Sequence, residues 1–445
     1  MTAWTEQTLT TWGRSRYART ATAAPAGEAA LHDAVTERAE SGLVAYGGGR
    51  CYGDAALGDG GRTILTSSLN QILSFDRDTR EVVCEAGVDF TALLERFVPD
   101  GFCFPVSAAT ASVTVGGAVA NDIHSKNHHA VGSFGDHVTW IDLMLASGEV
   151  VRASRDRNTE IFRATLGGIG LTGVILRVGF RLMPIPSGAA DVRYRRMRDV
   201  DEMIDTIEGA RGGTAYLFAW VDAMARGGAL GRGILELGDH ATSDSGAVPP
   251  PPVRPIRFVP PSFLLRPSLL RWYTNRRFNS LPPGGRDVRM GLAPFFFPLD
   301  SMPGFNRVYG PRGFYSIHTG FPRQSQRAGI RAVMEAVTTA NAGSFAAVMK
   351  PMRGPGDGYL SFPMEGMAYA VDLPRRRGIE ELHAVVERIV LDHGGRLYVA
   401  KDALMTADAF ARMFPRLERF RKVLAEVDPD RRFQSDMSRR LAIHG

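Results

Sequence analysis

The residues most able to do chemistry stand together in NDIHSKNHH, residues 121–129. This segment contains three of the ten histidines, His124, His128 and His129, and one lysine, Lys126. His124 and His128 are four residues apart and would share one face of a helix, but no Cys partner or HExxH pattern completes a metal-ligand set. We therefore predict no metal. Two interpretations remain: a polar loop whose histidines are hydrogen-bonded, or a site where His or Lys exchanges a proton with a substrate.

Lysine is scarce in this chain. Of the 53 Lys and Arg residues, only Lys126, Lys350, Lys401 and Lys422 are lysines. A retained lysine is suited to a task that arginine cannot perform, such as titrating near neutral pH or presenting a compact ammonium group. Equally, four isolated lysines can lack any special role. Lys422 lies in RFRKVLAEVD, which has the pattern of a helix surface, and receives no assignment.

Glycine-rich turns precede this segment. GGGRCYGD (47–54) and TVGGAVAND (114–122) each follow an apolar run, and GGIGLTGV (167–174) comes later. Glycines allow backbone N–H groups to approach a pyrophosphate closely. A dinucleotide fingerprint of the Rossmann type would need a strand, GxGxxG, a helix and a following acidic residue, and that order is absent. The turns indicate a phosphate-bearing ligand on a different scaffold.

The elements that must position these residues have mixed periodicity and predict an α+β fold. Two hairpins are expected, with turns at 76–79 and 146–148, and a helix at 89–101. In the second half we predict helices and strands in alternation. The helices are 199–210, 327–342 and 381–395, and the strands are 214–223, 313–322, 345–352 and 367–374.

A long tract, residues 245–286, interrupts this pattern. It contains seven arginines and no acidic residue, interleaved with Phe, Leu, Trp and Tyr. We predict it to be irregular and outside the core. One interpretation is a disordered surface loop. The other is a flexible flap that lies on an anionic membrane surface.

Composition limits the classes of function. The net charge of +6 would suit a nucleic-acid binder, but the basic residues are dispersed and no binding motif occurs, so we predict no nucleic-acid partner. The three cysteines are not in CxxC spacing, which favours a reducing compartment. We expect no signal peptide and find no apolar stretch of about 18–20 residues. The expected location is the cytoplasm or the periphery of the inner membrane, on either face.

Five motifs together resemble one family. GGGRCYGD, ASVTVGGAVANDIHSKNHHAVGSFGDHV, GGIGLTGVI, GGRLYVAKD and FQSDMSRRL are similar to the FAD-dependent oxidases of the vanillyl-alcohol-oxidase type. Within that type they resemble the oxidases of polyprenylphosphoryl-β-D-ribose. The similarity runs from residue 9 to the C-terminus and is weakest over 240–300.

The resemblance implies two domains. A bipartite FAD-binding domain would comprise residues 1–188 and 395–445, and an antiparallel-sheet substrate domain would comprise 189–394 with a flexible basic tract at 241–300. Some relatives carry FAD covalently on a loop histidine. Arg50 falls where that histidine would stand, so we expect non-covalent FAD. The expected cofactor-binding residues are Gly48, Gly49, Arg50, Cys51, Tyr52, Gly53, Thr110, Thr114, Gly116, Gly117, Asn121, Gly132, Ser133, Ile175 and Tyr398.

The resemblance also assigns an activity. It implies oxidation of the ribose 2′-hydroxyl to a keto sugar, the first half of an epimerisation that supplies arabinose for cell-wall arabinan. An NADH-dependent short-chain reductase would complete the epimerisation, and a quinone or oxygen would reoxidise the flavin. The expected catalytic residues are Lys401, nearest the reacting hydroxyl, with His124 and Tyr52. The expected substrate-binding residues are Lys126, Trp220, Arg307, His318, Lys350, Ala370 and Asp372.

The chain departs from the family pattern in ways that bear on the substrate. In MAYAVDLP, Ala368 and Ala370 replace an Asn and a Cys that inhibitors modify, and Ser316 and His318 stand where Gln is usual. We therefore predict resistance to inhibitors that need the thiol. A second hypothesis is an FAD oxidase of a soluble sugar, alditol or aldonolactone. A third is a flavin- or lipid-binding protein without turnover.

Overall fold

The computed structural model describes residues 2–37 and 41–445. The N-terminal strands form a four-stranded sheet in the order β1-β2-β4-β3, in which β4 runs parallel to both of its neighbours. The strands are β1 (Thr5–Thr10), β2 (Tyr17–Ala23), β3 (Leu43–Tyr46) and β4 (Arg62–Leu65).

A second sheet follows, with the order β5-β6-β10-β8-β9, and β7 pairs with β11 beside it. Its two hairpins turn where the sequence predicts, between β5 and β6 and between β8 and β9. The strands are β5 (Ile72–Asp76), β6 (Glu81–Glu85), β7 (Phe102–Cys103), β8 (Val138–Met144), β9 (Val150–Ser154), β10 (Val174–Arg181) and β11 (Met183–Pro184).

The third sheet is fully antiparallel and has eight strands in the order β15-β12-β14-β13-β17-β18-β16-β19. The short β19 pairs with β16, so residues 396–397 belong to this sheet by hydrogen bonding. The strands are β12 (Ala189–Met197), β13 (Tyr216–Val221), β14 (Gly233–His240), β15 (Arg286–Gly291), β16 (Phe314–Pro322), β17 (Ala347–Met352), β18 (Gly366–Pro374) and β19 (Arg396–Leu397).

The helices cover the sheets. Three of the longer ones, α6, α9 and α10, contribute apolar residues to the main core beside the eight-stranded sheet. The helices are α1 (Glu28–Thr36), α2 (Phe90–Phe97), α3 (Val115–Ala120), α4 (His128–Val131), α5 (Thr159–Thr165), α6 (Val200–Ala210), α7 (Pro267–Ser280), α8 (Leu292–Phe296), α9 (Gln326–Thr339), α10 (Ile379–Asp392), α11 (Ala407–Met413), α12 (Leu417–Val427) and α13 (Asp436–Arg440).

The basic tract is more regular than the sequence predicts. The prediction of irregular structure is wrong for Pro267–Ser280, which form α7. Within the predicted flexible range 241–300, Arg286–Gly291 also form a strand, β15, which pairs with β12, and the buried aromatic rings of Phe295, Phe296 and Phe297 join the main core. In the described part of the chain, no helix has the length and apolar composition to cross a bilayer.

The two ends of the chain meet in one lobe. The backbone N–H of Leu43 donates to Arg432 O at 2.7 Å, and that of Gln434 donates to Leu43 O at 3.1 Å. The Phe433 ring is fully buried with Leu31, Leu43 and Ile64 beneath the first sheet. The C-terminal residues therefore complete the packing of the N-terminal sheet, and the sequence between them builds the eight-stranded sheet. This is the two-domain α+β architecture that the sequence predicts.

Candidate active site

A cavity of about 350 Å³ lies between the glycine-rich turns and the eight-stranded sheet. This volume is within the range of ligand-binding pockets. On one side its wall consists of both predicted glycine turns, with residues 47–52 and the segment 113–124. On the other side it includes inward-facing residues of β16, β17 and β18.

The first turn is held against the end of the eight-stranded sheet. Gly49 has φ +63°, a conformation that suits glycine. The Tyr52 N–H donates to Ala400 O at 2.9 Å, which fixes the loop beside the short 3₁₀ turn Val399–Lys401. The Arg50 side chain donates to Ser112 Oγ at 2.8 Å and so ties the first turn to the second.

Most predicted cofactor-binding residues lie along this cavity. Twelve of the fifteen line it: Gly48, Gly49, Arg50, Cys51, Tyr52, Thr110, Thr114, Gly116, Gly117, Asn121, Ile175 and Tyr398. Gly53, Gly132 and Ser133 do not, among the residues that the structure describes. Gly53 packs against the Asp402 backbone. Ser133 is buried and shares a hydrogen bond with His128 Nε2 at 3.2 Å, and Gly132 precedes it in that turn with φ +85°.

Three rows of side chains point from the eight-stranded sheet toward the cavity. Register pairs Ser316 with Asp372. One step along, His318 pairs with Ala370, which pairs with Val348. A further step brings Ala368 opposite Lys350. Residues two apart on a strand face the same side, so three adjacent strands place His318, Lys350 and Asp372 together.

Four basic groups and one carboxylate meet here. Lys401 Nζ lies 4.6 Å from the centroid of the Tyr52 ring. Burial lowers the pKa of Lys401, an effect that Asp372 opposes. Burial, and then the charge of Lys401, lower the pKa of Lys350 well below its usual value, and Lys350 Nζ donates to His124 O at 3.1 Å. Burial likewise lowers the pKa of His124 and of His318, so both imidazoles are neutral bases at neutral pH.

The acidic member of the group is Asp372. Burial raises its pKa, while Lys401 and a hydrogen bond from Ser316 Oγ at 2.7 Å act in the opposite direction. The Tyr309 hydroxyl contacts the same carboxylate at 3.4 Å. Ser316 and Asp372 are thus one hydrogen-bonded unit, in which the serine that replaces the usual Gln holds the carboxylate.

The histidines of NDIHSKNHH have separate surroundings. Only His124 lines the cavity, and its ring packs 4.7 Å from that of Tyr398. His128 Nδ1 accepts from the backbone N–H of Arg353 at 3.1 Å, and His129 Nε2 bonds to Thr214 O at 2.9 Å. No cluster of three or more metal-ligating side chains occurs among residues 2–37 and 41–445. The hydrogen-bonded polar loop therefore describes His128 and His129, and proton exchange with a substrate stays a prediction for His124.

Three predicted substrate-binding residues point elsewhere. Lys126 forms a half-buried ion pair with Glu236 and donates to Phe295 O at 2.8 Å. Trp220 Nε1 donates to Phe345 O at 2.9 Å. Arg307 is exposed and donates to Ile256 O at 2.7 Å. The first two bonds cross between segments distant in sequence, which a local pattern cannot reveal.

Sequence reasoning also missed part of the wall. Phe218, Leu299, Phe305, Ala346 and Val348 form an apolar side of the cavity. Alternation along β13 and β17 would place Phe218 and Val348 on one face, but Leu299 and Phe305 come from short 3₁₀ turns that carry no periodic signal.

The residues present fit FAD. Two glycine turns leave backbone free to approach a pyrophosphate, and the apolar side chains suit a planar ring. Four buried polar atoms of the wall, Asn121 Oδ1, His124 Nδ1 and both ring nitrogens of His318, have no hydrogen-bond partner among the described residues. Buried polar atoms are normally paired, so a bound ligand explains them. The structure contains no histidine in residues 47–54, which fits a non-covalent cofactor.

Comparison with known proteins identifies the class. An FAD binding domain matches residues 20–154, and a D-arabinono-1,4-lactone oxidase family matches residues 365–441. With the fold and cavity above, these matches define an FAD-dependent oxidoreductase of the vanillyl-alcohol-oxidase type, as the sequence predicts.

Individual relatives, two of which match nearly the whole chain, identify the family within this class. The chain is 35% identical to decaprenylphosphoryl-β-D-ribose oxidase of Mycolicibacterium smegmatis, over 99% of this chain and 98% of the relative. It is 24% identical to L-gulono-1,4-lactone dehydrogenase of Mycobacterium tuberculosis over 94% of each chain. Mouse L-gulonolactone oxidase is 31% identical over 31% of each. The chain belongs to the decaprenylphosphoryl-β-D-ribose oxidase family.

Proposed function

We propose that this protein oxidises the 2′-hydroxyl of polyprenylphosphoryl-β-D-ribose to the 2′-keto sugar. The observation that carries the proposal is the meeting of Lys401, Lys350, His124 and Asp372 in a cavity bounded by the glycine turns. Bound FAD supplies the acceptor for the hydride that leaves C2′. The protein's side chains must take the hydroxyl proton and hold the sugar phosphate.

Lys401 is the proposed proton acceptor. Its lowered pKa makes the neutral amine more accessible than in a free lysine. The hydroxyl proton passes to this amine while the C2′–H bond breaks, and the remaining electron pair on oxygen forms the carbonyl. His124, a neutral base on the same wall, orients the hydroxyl. Lys350 contacts the phosphate, whose negative charge favours protonation of this amine, and Lys126 supports the segment through Glu236.

An anaerobic titration tests the proposal. Polyprenylphosphoryl ribose with a short lipid chain is added to the FAD-loaded protein while the visible band of oxidised flavin is followed. We expect the wild type and Lys422→Met to bleach. Lys401→Met should retain FAD and bleach about 10²–10⁴ times more slowly, the range for loss of a general base. A wild type that stays yellow with this substrate would refute the proposed substrate.

The same proposal includes partners. The keto product requires a reductase that returns a hydride from the opposite face, and an NADH-dependent short-chain enzyme has that chemistry. A quinone or oxygen reoxidises the flavin. We also place the protein at the periphery of the inner membrane, where its lipid-tailed substrate resides, and the basic tract supports this placement.

A second candidate is oxidation of a soluble aldonolactone. It is favoured by the lactone-oxidase family match over residues 365–441 and by the small side chains of Ala368 and Ala370 in the sheet that faces the cavity. Titration with L-gulono-1,4-lactone or D-arabinono-1,4-lactone discriminates between the two candidate functions. Bleaching by either lactone without a lipid requirement would support this second function, and bleaching by the lipid-linked ribose alone would exclude it.

A further inference from the structure

Residues 298–309, named the strap here, form part of the cavity wall and include exposed residues such as Pro303 and Arg307. The strap consists of two 3₁₀ turns, Pro298–Ser301 and Phe305–Tyr309. Pro298, Leu299 and Phe305 line the cavity. The strap therefore lies between the interior and one side of the surrounding solvent.

One carboxylate fastens the strap to a cavity-lining loop. Asp300 accepts from the Thr110 hydroxyl at 2.5 Å and from the Ala111 backbone N–H at 2.8 Å. Thr110 is in turn hydrogen-bonded to Ser112 at 3.0 Å, and Ser112 receives the Arg50 bond. Hydrogen bonds to a charged acceptor are stronger than those between neutral groups. Asp300 thus holds the strap with two of the strongest bonds available to it.

The far end of the strap is held mainly by packing, together with two hydrogen bonds. Asn306 Nδ2 donates to Trp12 O at 2.9 Å. The Tyr309 hydroxyl reaches Asp372 at 3.4 Å, and its ring stacks on Phe314 at 4.1 Å. This end is packed in aromatic neighbours, so it is the natural pivot, and Asp300 is at the end that can be released.

The outer edge of the strap is bonded to the basic tract. The backbone N–H of Arg254 donates to Ser301 O at 2.7 Å, and that of Ile256 donates to Pro303 O at 2.7 Å. The Arg307 guanidinium donates back to Ile256 O. A displacement of residues 254–256 is therefore transmitted to the strap through backbone bonds.

The adjoining surface is basic and apolar. Nine of the twelve exposed large hydrophobic side chains of the described residues lie within 248–273. Phe258 is 69% exposed and Trp272 is 63% exposed. Exposed apolar patches of this kind mark interaction sites, and arginines without acids fit an anionic bilayer. We name this surface the arginine–aromatic face; it comprises Val253, Arg254, Arg257, Phe258, Phe263, Leu264, Arg266, Arg271, Trp272 and Arg276.

We propose that the strap is a gate that Asp300 holds shut and that opens when the arginine–aromatic face docks on an anionic bilayer. The inference rests on the proposed function for the lipid-linked substrate that would enter. Opening in water exposes Leu299 and Phe305, which is unfavourable in proportion to the apolar area. When the two side chains contact lipid instead of water, this free-energy cost is removed. The bilayer therefore binds the open state more tightly than the closed state, and such a difference in affinity is what shifts the population toward the open state.

Hydrogen exchange of the Ala111 amide reports on the gate directly, because that amide is bonded to Asp300. The FAD-loaded full-length protein is measured alone, with phosphatidylcholine vesicles, and with vesicles that also contain phosphatidylglycerol. We expect exchange at Ala111 to be at least about tenfold faster only with the anionic vesicles. Unchanged or slower exchange in protein that co-sediments with these vesicles would overturn the proposal, and so would a failure to co-sediment.

Two sets of variants distinguish docking of the arginine–aromatic face on vesicles from closure of the strap by Asp300. Asp300→Ala should exchange rapidly at Ala111 without any vesicle. Arg271→Glu with Arg276→Glu should stay latched and fail to co-sediment, whereas the matched exposed pair Arg412→Glu with Arg419→Glu, on the C-terminal helices, should dock and open like the wild type. Wild-type-like opening in the Arg271/Arg276 variant would contradict the assignment of the face.

These readouts do not depend on turnover. If the flavin never bleaches with the lipid-linked ribose but Ala111 exchange responds to anionic vesicles, the proposed substrate fails and the gate stands. If bleaching occurs and exchange does not respond, the gate fails and the substrate stands.

Discussion

Asp372 controls the charge of the proposed proton acceptor. Lys401 is buried, which lowers its pKa, and Asp372 is the nearby charge that raises it again. Because Lys401 must be the neutral amine to accept a proton, the bleaching rate should increase with pH as Lys401 deprotonates. We therefore expect the Asp372 carboxylate to influence the pH at which flavin bleaching becomes fast.

We predict that Asp372→Asn moves the rising limb of the pH–rate profile to lower pH. The substitution removes the charge that raises the pKa of Lys401, and the amide can still accept the Ser316 bond. The measurement is the anaerobic bleaching rate across pH. Asp191→Asn, on the same sheet but outside the cavity, serves as a control and should leave the profile unchanged. A bleaching rate that falls as pH rises, with a falling limb that moves to lower pH in Asp372→Asn, would mean that Lys401 acts as an ammonium instead.

The thiols of this chain are poor targets for electrophiles. Cys51 lines the cavity, but burial raises its pKa to about 12, and burial does the same for Cys84 and Cys103. The thiolate is the reactive form. We expect a thiol-directed inhibitor of this family to leave the intact mass unchanged at neutral pH, and Ala370→Cys to gain one adduct. An adduct on the wild type would refute this prediction.

At the scale of elements, close backbone packing between Gly53 and Asp402 fixes the position of the neighbouring Tyr52. A Cβ on Gly53 would lie 1.6 Å from the Asp402 carbonyl oxygen. Gly53 is therefore needed for packing against the turn that carries Lys401. The sequence comparison placed it among cofactor-binding residues because it belongs to the glycine motif, and its partner is almost 350 residues away in the chain.

Gly53→Ala should separate Tyr52 from Lys401. Neither backbone segment can yield as a flexible side chain would, so we expect destabilisation of about 3 kcal/mol and weaker retention of FAD. The measurements are urea unfolding and flavin fluorescence after gel filtration. Gly228→Ala, where an added Cβ meets no atom within 4 Å, should behave like the wild type. Equal stability of the two variants would contradict the packing argument.

Local sequence patterns predicted the secondary-structure elements more accurately than they predicted the contacts between distant residues. The hairpin turns and α2 follow from turn residues, an Asp89 N-cap and apolar periodicity, which are encoded within a few residues. The helix α7 was not predicted because arginines and aromatic residues surround it on all sides, with only Leu270 and Thr274 buried, so the sequence shows no apolar face. The substrate-binding role predicted for Lys126 has a different difficulty. Its ion-pair partner, Glu236, lies on β14, and only the folded chain brings the two residues together.

The candidate site was predictable as far as motifs extend. Residues inside the glycine turns, and the scarce Lys350 and Lys401, do line the cavity. Tyr309, Leu299 and Asp300 come from the strap, where no periodicity or motif marks them. Their positions follow from tertiary packing, which only the folded chain supplies.

At the scale of the whole molecule, one half-buried arginine joins distant parts of the chain. Arg440 of α13 binds Asp54 through two nitrogens, at 2.8 and 3.0 Å. It also contacts Asp402 at 3.0 Å, and Asp402 bonds to His383 of α10 at 3.2 Å. The first glycine turn, the turn of Lys401 and the C-terminal helix therefore share a single ionic network.

We predict that Arg440→Met destabilises the protein by about 3–5 kcal/mol, because it leaves two buried carboxylates without their cation. Burial already raises the pKa of Asp54, and loss of Arg440 removes the group that opposes this effect. The folded-state pKa then rises further above the unfolded value, so the penalty grows as pH increases and diminishes in mild acid, where the carboxylates bind protons.

Urea unfolding at several pH values measures this deficit against a neighbour. Arg439 pairs with Asp436 at the half-exposed surface, so Arg439→Met should cost no more than about 1 kcal/mol at any pH. If Arg440→Met were no less stable than Arg439→Met at neutral pH, or if its deficit increased on acidification, the network would not be what couples the two ends of the chain. The C-terminal helix would then be held by the apolar packing of Met437 and Leu441 and by the hydrogen bonds of Asp436 with residues 57 and 59.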